Sequence, residues 1–406
     1  MARVPGAPQM SGMATLLSTR DSSSLQRIAL RPVTDLSGIA ALQPHYETLC
    51  RAAGNRLPFA LHAWHLTWCQ HFLNCDARIR DRPLFYVLHE STGTCVGILP
   101  FILSRRRLGP LKVGSMNMLG ADPAITEIPT PLIAPGYARQ AVRAVRDALA
   151  AEPDWDWIHW GGLSGELARA LRDTSGLIWR PPLADFVLDL PPTWEQFRAR
   201  LKRNIRESLR HCYNSLRRDG LTFELQVITD AAGVRRGLDR FLELHRLRAD
   251  LRNTVIHPNR FASRVSRDFL HAVCERLAAR GCVRLFALRI GRETVAMRLG
   301  FVIADALYLY YSGYDPRWAR YSVMTTTVAE AIKYAIANRL RTVNLSPNVD
   351  QSKLRWSPRR VEYGMAYEPR QRLLSRLANG AYLRARAEDG ARPSLLQRLI
   401  TRRTWQ

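Results

Sequence analysis

The stretch ALYLYYSGYDPRWARYSV, residues 306–323, decides how the chain is read. Its first seven residues are apolar and aromatic enough for a strand over Ala306 to Ser312. Gly313-Tyr314-Asp315-Pro316 then turns the chain. From Ser322 to about Asn338 the residues Met324, Val328, Ala331, Ile332, Ala335 and Ile336 recur at helical spacing. A strand that leads through a basic, aromatic loop into a helix start is an anion-binding arrangement. Free backbone N–H groups and the positive end of the helix dipole converge there. Arg317 and Arg320 would add charge-assisted hydrogen bonds, and Ser322 would cap the helix or donate to a phosphate.

Working outward, Val283 to Ile290 and Thr294 to Ile303 read as strands turning at Gly291-Arg292-Glu293. A strand at 222–228 and helices at 233–249 and 261–279 precede them; strands at 342–345 and 361–367 follow. The N-terminal half has the same order. Helices at 36–53 and 60–72 lead into strands at 84–90 and 95–103, joined by Ser91-Thr92-Gly93-Thr94. Strands at 113–118, 128–133, 155–160 and 184–188 follow, with helices at 137–150 and after Ser164. Leu84-Phe85 matches Leu285-Phe286, Val96-Gly97 matches Val295-Ala296, and Phe101 matches Phe301, about 200 residues apart. This predicts an α/β (α+β) chain of two mixed sheets related by duplication, in domains at 28–192 and 221–369.

Between them, 193–220 reads as one long helix. Thr193 and Gln196 form a capping box, Phe197, Leu201, Ile205, Leu209, Cys212 and Leu216 make an apolar stripe, and Gly220 ends the run. Eight basic side chains, Lys202 and Arg206 among them, face one acid, Glu207. This helix is either a connector with a solvated basic face or a wall of an anion-binding groove.

The 406 residues are 47% hydrophobic and 23% charged, which excludes a disordered or collagenous chain. No apolar run reaches the ~18 residues of a membrane span. Residues 1–27 lack a signal-peptide core and read as a tail, so the expected location is cytoplasmic. The formal charge is +25, carried by 60 basic residues of which only Lys112, Lys202, Lys333 and Lys353 are lysines. Such a field favours phosphates, coenzyme tails, nucleic acid or anionic lipid without choosing among them. Seven cysteines occur without a C-x-x-C pair, and the spacing of Cys69, His71 and Cys75 fits no usual zinc pattern, so no metal is expected. Nucleophile-elbow, metalloprotease and Walker motifs are missing. Lys353, in a chain that otherwise chooses arginine, points to a place for a compact ammonium. His245, on the 233–249 helix, is either a packing residue or a base.

The basic helix KRNIRESLR from Lys202, the Leu244-His245-Arg246 run, Arg284-Leu285, Gly313-Tyr314-Asp315-Pro316 with Tyr321-Ser322, and Lys353-Leu354-Arg355-Trp356 together resemble the GNAT acyltransferase superfamily. Within it they are similar to the acetyltransferases associated with cellulose and exopolysaccharide synthesis, which resemble the tandem Fem-type peptidyltransferases. The resemblance covers Lys202 to Trp356, and more weakly back to about residue 36. It implies two tandem GNAT-like domains, the first degenerate, and transfer of an acyl group, acetyl by preference, from acyl-CoA (acetyl-CoA) without a metal. The acceptor would be an amine or hydroxyl on a small molecule, a polysaccharide or a lipid-linked precursor. Ser312, Arg317, Arg320, Ser322, Val323, Met324 and Thr325 would hold the coenzyme. Asp315, His245 or a water would accept a proton and Tyr311 or Tyr314 would protonate the thiolate. Lys202, Arg206, Arg248, Lys353, Arg355 and Trp356 would meet the acceptor. The chain departs from the family in reading Ser322-Val323-Met324-Thr325 where Ser-Pro-Gly is usual, and Asn344 where an aspartate is usual. Rival readings are a Fem-like transferase using aminoacyl-tRNA, the one reading that calls for nucleic acid, and an inactive GNAT-shell adaptor.

Residues 370–406 carry nine arginines against Glu388 and Asp389, interleaved with leucines. Two short amphipathic helices would either pack their leucines on the second domain or lie on an anionic membrane.

Overall fold

The computed structural model describes residues 28–75, 79–108, 111–121, 125–251 and 257–387. The N-terminal tail and the second helix of the C-terminal tail therefore lie outside the described residues. The first half runs β1 (Ala29–Val33), α1 (Leu36–Ala41), α2 (Gln43–Ala52), α3 (His62–Phe72), β2 (Ile79–His89), β3 (Cys95–Leu108), β4 (Leu111–Met118), β5 (Leu132–Ile133), α4 (Ala138–Ala151), β6 (Trp157–Leu163), α5 (Gly165–Arg172) and β7 (Ile178–Asp189). After α6 (Trp194–Arg200) and α7 (Arg203–Arg218) the second half runs β8 (Phe223–Ile228), α8 (Ala231–Ala249), α9 (Arg264–Ala278), β9 (Val283–Ile290), β10 (Glu293–Ile303) and β11 (Ala306–Tyr314). It closes with α10 (Val323–Ala337), β12 (Thr342–Asn344), α11 (Gln351–Leu354), β13 (Arg359–Pro369) and α12 (Leu373–Ala387).

The expected duplication of element order is present, but the two expected sheets are one. Thirteen strands join in the order β1-β2-β3-β4-β6-β13-β7-β12-β11-β10-β9-β8, with β5 on the side of β3. In each half four strands pair antiparallel and the fourth pairs parallel with the strand after its helix, β4 with β6 and β11 with β12. The last strand of each half then crosses over. β7 lies antiparallel to β12, and β13 lies antiparallel to β6 and to β7. Pairing each half's final strand with the other half satisfies backbone groups that two separate sheets would leave at open edges. An amphipathic pattern marks a strand without naming its neighbour, so the sequence could not show this exchange.

The connecting helix is also two helices. Leu201 adopts an extended backbone, Lys202 is the N-cap, and α7 starts at Arg203. The break leaves the stripe intact, and Phe197, Leu201, Ile205, Leu209, Cys212 and Leu216 are all buried. Thr193 caps α6 as expected, accepting from Gln196 N at 3.2 Å. One apolar core crosses the halves: the Trp64 ring of α3 meets Phe269 of α9 at 5.3 Å and Tyr310 of β11 at 6.0 Å. On the other sheet face α6, α7 and α10 share a second core.

Candidate functional site

β11 and β12 pair only over Ala306 to Tyr308, because β12 ends at Asn344. From Leu309 onward, among the described residues, that edge of β11 has no strand beside it. Opposite Leu299 of β10, β11 carries two residues, Tyr310 and Tyr311, a bulge that bends the strand where the edge becomes free. The chain after β12 instead follows β7, with Leu345 N donating to Phe186 O at 2.7 Å and Asn348 N to Ala184 O at 3.2 Å. The result is a splayed parallel pair.

Ionisable side chains from both halves gather at this splay. Tyr308 Oη donates to Glu127 Oε2 at 2.7 Å, and Tyr310 Oη donates to Ile125 O at 2.5 Å, so the segment after β4 reaches across onto β11. Residues 128–133 were expected to form a strand; only Leu132–Ile133 does, because this segment serves as a wall of the site. Burial raises the Glu127 carboxyl well above the glutamate range, against the pull of Tyr308 and of nearby Lys353. Burial lowers the Lys353 ammonium, and Lys353 Nζ is held by Ser346 Oγ at 3.1 Å and the carbonyls of Ser346 at 3.3 Å and Pro347 at 2.5 Å. Burial also lowers Arg298, to about 10, which leaves it charged at neutral pH. Its Nη2 donates to Leu309 O at 3.2 Å, while its Nε has no hydrogen-bond partner among the described residues. Arg248 donates to Ser312 Oγ at 2.6 Å and to His257 Nε2 at 2.8 Å.

Asp185 of β7 is fully buried and accepts from Asn344 Nδ2 at 2.6 Å. The departure noted at Asn344 is thus matched by a carboxyl brought beside it on the exchanged strand. Both line a cavity of about 280 Å³ between the halves, with Asn55, Thr130, Ser164 and Tyr363 in its walls. Burial raises Asp185 to about 6. Its folded pKa lies above its unfolded one, so the group favours the fold below about pH 4, and that contribution is lost as pH rises through about 6. Unfolding free energy of the natural chain should fall between pH 4 and 7 by up to about 3 kcal/mol more than that of Asp185→Asn, at 1.36 kcal/mol per pKa unit. Parallel urea titrations across this range would show equal slopes if the carboxyl were solvated.

The site residues expected from sequence divide into three groups. Arg248, Ser312 and Lys353 are in the splay. Tyr311 adjoins it, its ring meeting His245 at 5.6 Å and Phe261 at 5.4 Å, and burial raises its phenol. His245 is buried and fully engaged: Arg260 N donates to Nε2 at 3.4 Å, so Nδ1 carries the proton and donates to Ser312 O at 3.0 Å. Burial lowers it to about 4, and it ties α8 to β11 rather than standing free as a base.

A second group surrounds the start of α10. Asp315 caps the 3-10 turn Pro316–Tyr321 and is ion-paired with Arg317 at 2.6 Å, which holds its carboxyl below the usual range. Arg320 bonds Tyr321 Oη at 2.5 Å and lies 4.0 Å from Asp219. Both arginines expected to meet phosphate are therefore engaged within the protein. Ser322 has left-handed backbone (φ 52°) and makes no side-chain cap. The N–H groups of Thr325 and Thr326 both turn back to Ser322 O. Val323 is buried under α7, with Tyr314 and Met324 packed against the same cluster. The hydroxyls of Ser322, Thr326 and Ser208 surround the Cys212 sulfur of α7.

The third group lies elsewhere. Lys202 and Arg206 are exposed on α7. Arg355 donates to Ser208 Oγ at 2.5 Å, and Trp356 is buried in the α10 core, which removes it from any binding surface. Glu127, Asp185 and Arg298 were missed. Glu127 lies 181 positions from Tyr308, a separation no local pattern reports. Among the described residues one trio of metal-type side chains converges, His45, His89 and Cys95, with ligand atoms within 4.8 Å. It is not the Cys69, His71 and Cys75 set weighed from spacing.

A splayed parallel pair with a bulge, followed by a helix, and set in a sheet built twice from the same element order, defines a tandem GNAT-like α/β fold. Residues 201–354 match the family model described as an acetyltransferase (GNAT) domain. Among solved structures the chain is similar to FemX, with a TM-score of 0.55 at 10% identity over 82% of this chain and 98% of that one. It is similar to a conserved protein of unknown function from Bacteroides thetaiotaomicron (0.49; 12%; 85% and 100%). A tandem GNAT protein from the clavulanic acid biosynthesis pathway also matches (0.43; 12%; 84% and 97%). No curated protein matches the chain. At 10% identity the likeness to FemX shows the fold alone. Among the described residues no helix is long and apolar enough to cross a membrane.

Proposed function

We propose that the chain is an acyltransferase whose reaction takes place at the splay of β11 and β12. The observation that carries this reading is the free edge of β11 beyond Tyr308 with a partly desolvated carboxyl, Glu127, bonded at the point where pairing ends. An acceptor amine or hydroxyl attacks the donor's acyl carbon and gives its proton to Glu127. Backbone N–H groups of the free strand edge polarise the carbonyl. The leaving group takes a proton from Lys353, whose ammonium burial has weakened. Positioning supplies much of the remaining rate.

The donor in this reading is acyl-CoA, with its pyrophosphate toward the start of α10 and its acyl end at the splay. The acceptor is a small molecule, polysaccharide or lipid-linked precursor on the cytoplasmic side. A second reading, an aminoacyl-tRNA donor, is favoured by one observation. Arg317 and Arg320 are already paired and α7 covers the helix start, while Lys202, Arg206 and Arg210 stand exposed on α7. Thermal unfolding with acetyl-CoA separates the two. Acetyl-CoA at a hundred times its Kd should add about 2.7 kcal/mol of stability. No shift, together with tRNA binding that weakens steeply with salt, would replace the first reading by the second. Absence of both would leave the adaptor.

A further inference from the structure

Over residues 373–380 of α12 two polar side chains point inward, Ser375 and Asn379, beside Ala378 packed at Trp157 and Tyr367, and Ser375 Oγ donates to Asp156 at 2.7 Å. The three leucines of this stretch face outward: Leu373, Leu374 and Leu377 are 75%, 71% and 62% exposed. These are half of the six large hydrophobics that are exposed among the described residues, and they fall within a little more than one turn. An apolar cluster of this kind on an otherwise buried-core protein marks a docking surface. The sequence-based alternatives packed these leucines on the second half or laid them on a membrane. The structure rules out the first for the helix start.

Charge decides the occupant. Arg372 and Arg376 are exposed beside the leucines, and Arg370 is half-buried at the helix entrance with its guanidinium on the Trp155 ring at 5.0 Å. The sequence from Pro369 to Ala387 contains five arginines and no acid. A leucine ridge flanked along its own segment by Arg370, Arg372 and Arg376, with no acid in sequence from Pro369 to Ala387, complements a surface that is apolar beneath and anionic at its headgroups. A protein or peptide partner would need apolar and acidic groups in a matching arrangement, whereas an anionic bilayer supplies both everywhere. We propose that α12 seats the protein on an anionic lipid bilayer, with Leu373, Leu374 and Leu377 entering the interface and Arg372 and Arg376 at the headgroups. The exposed side of the helix start is held toward the membrane by the Ser375–Asp156 bond on its opposite side. This inference is independent of the chemistry at the splay.

The test is co-sedimentation of the full chain with vesicles of phosphatidylcholine alone and of phosphatidylcholine mixed with phosphatidylglycerol. Binding is expected to the mixed vesicles only, and to weaken with salt. Leu373→Ser/Leu374→Ser/Leu377→Ser should reduce it by about tenfold or more. Arg372→Gln/Arg376→Gln should reduce it about fivefold per arginine removed. Both variants alter exposed side chains, and circular dichroism identical to the natural chain would show that the fold is kept. Failure of the natural chain to bind, which would mean that residues 388–406 or another partner cover the leucines, overturns the proposal. So does equal binding to both vesicle types, or unchanged binding by the leucine variant.

Discussion

Gly313→Ala is expected to destabilise the protein by about 3 kcal/mol, at the upper end of what overpacking costs. A Cβ at Gly313 would lie 2.2 Å from the backbone nitrogen of His245 and 2.3 Å from the carbonyl carbon of Leu244. These are backbone atoms of α8 and cannot rotate aside. Either the helix lifts from β11 or the strand shifts. Lifting breaks the His245–Ser312 and Arg248–Ser312 bonds and opens the core around Phe241 and Phe261. A domain with a total stability of about 5–15 kcal/mol loses a large share of it this way. Gly380→Ala is the control, since nothing lies within 4 Å of that Cβ and the residue is helical. It should leave the urea midpoint unchanged or raise it slightly. A Gly313→Ala midpoint equal to that of the natural chain would mean that α8 does not press on β11.

The second half was largely legible in the sequence because its elements are local and its packing periodic. Val283–Ile290 was read to the residue, and α8, α9 and α10 to within three residues at each end. Gly313 shows what a local reading leaves out: it reads as a turn residue, while its role is to let a helix of the same half touch the strand. The exchange of β7 and β13 was not legible, since nothing in either strand names a partner in the other half. The site follows the same division. Arg248, Ser312 and Lys353, named from the sequence, are brought near one another by the structure, and Asn344 was noticed as a departure. The carboxyls that face them, Glu127 and Asp185, come from the first half. Arg317 and Arg320 were expected to meet phosphate from a motif that gives charge without giving partners; the structure sets Asp315 beside Arg317 and Asp219 beside Arg320.

Glu127→Gln is expected to lower kcat roughly 100- to 10,000-fold, the range of a lost general base, while leaving donor binding intact. The amide is nearly isosteric and its oxygen can still accept from Tyr308 Oη, so the segment reaching across from the first half should keep its place. What is lost is the proton acceptor. In the natural chain the raised carboxyl must ionise before it can act, so the rate should climb with pH through a midpoint above the ordinary glutamate range. That limb should be missing from the variant. Glu127→Asp keeps a carboxyl but draws it back from Tyr308, and should recover part of the rate with the limb restored. A role confined to holding Tyr308 would give a different pattern. The glutamine variant would then keep its rate within a few-fold, and the aspartate variant, which shortens the contact, would be the weaker of the two. Initial rates across pH, with donor-induced thermal shifts measured on the same preparations, separate these outcomes.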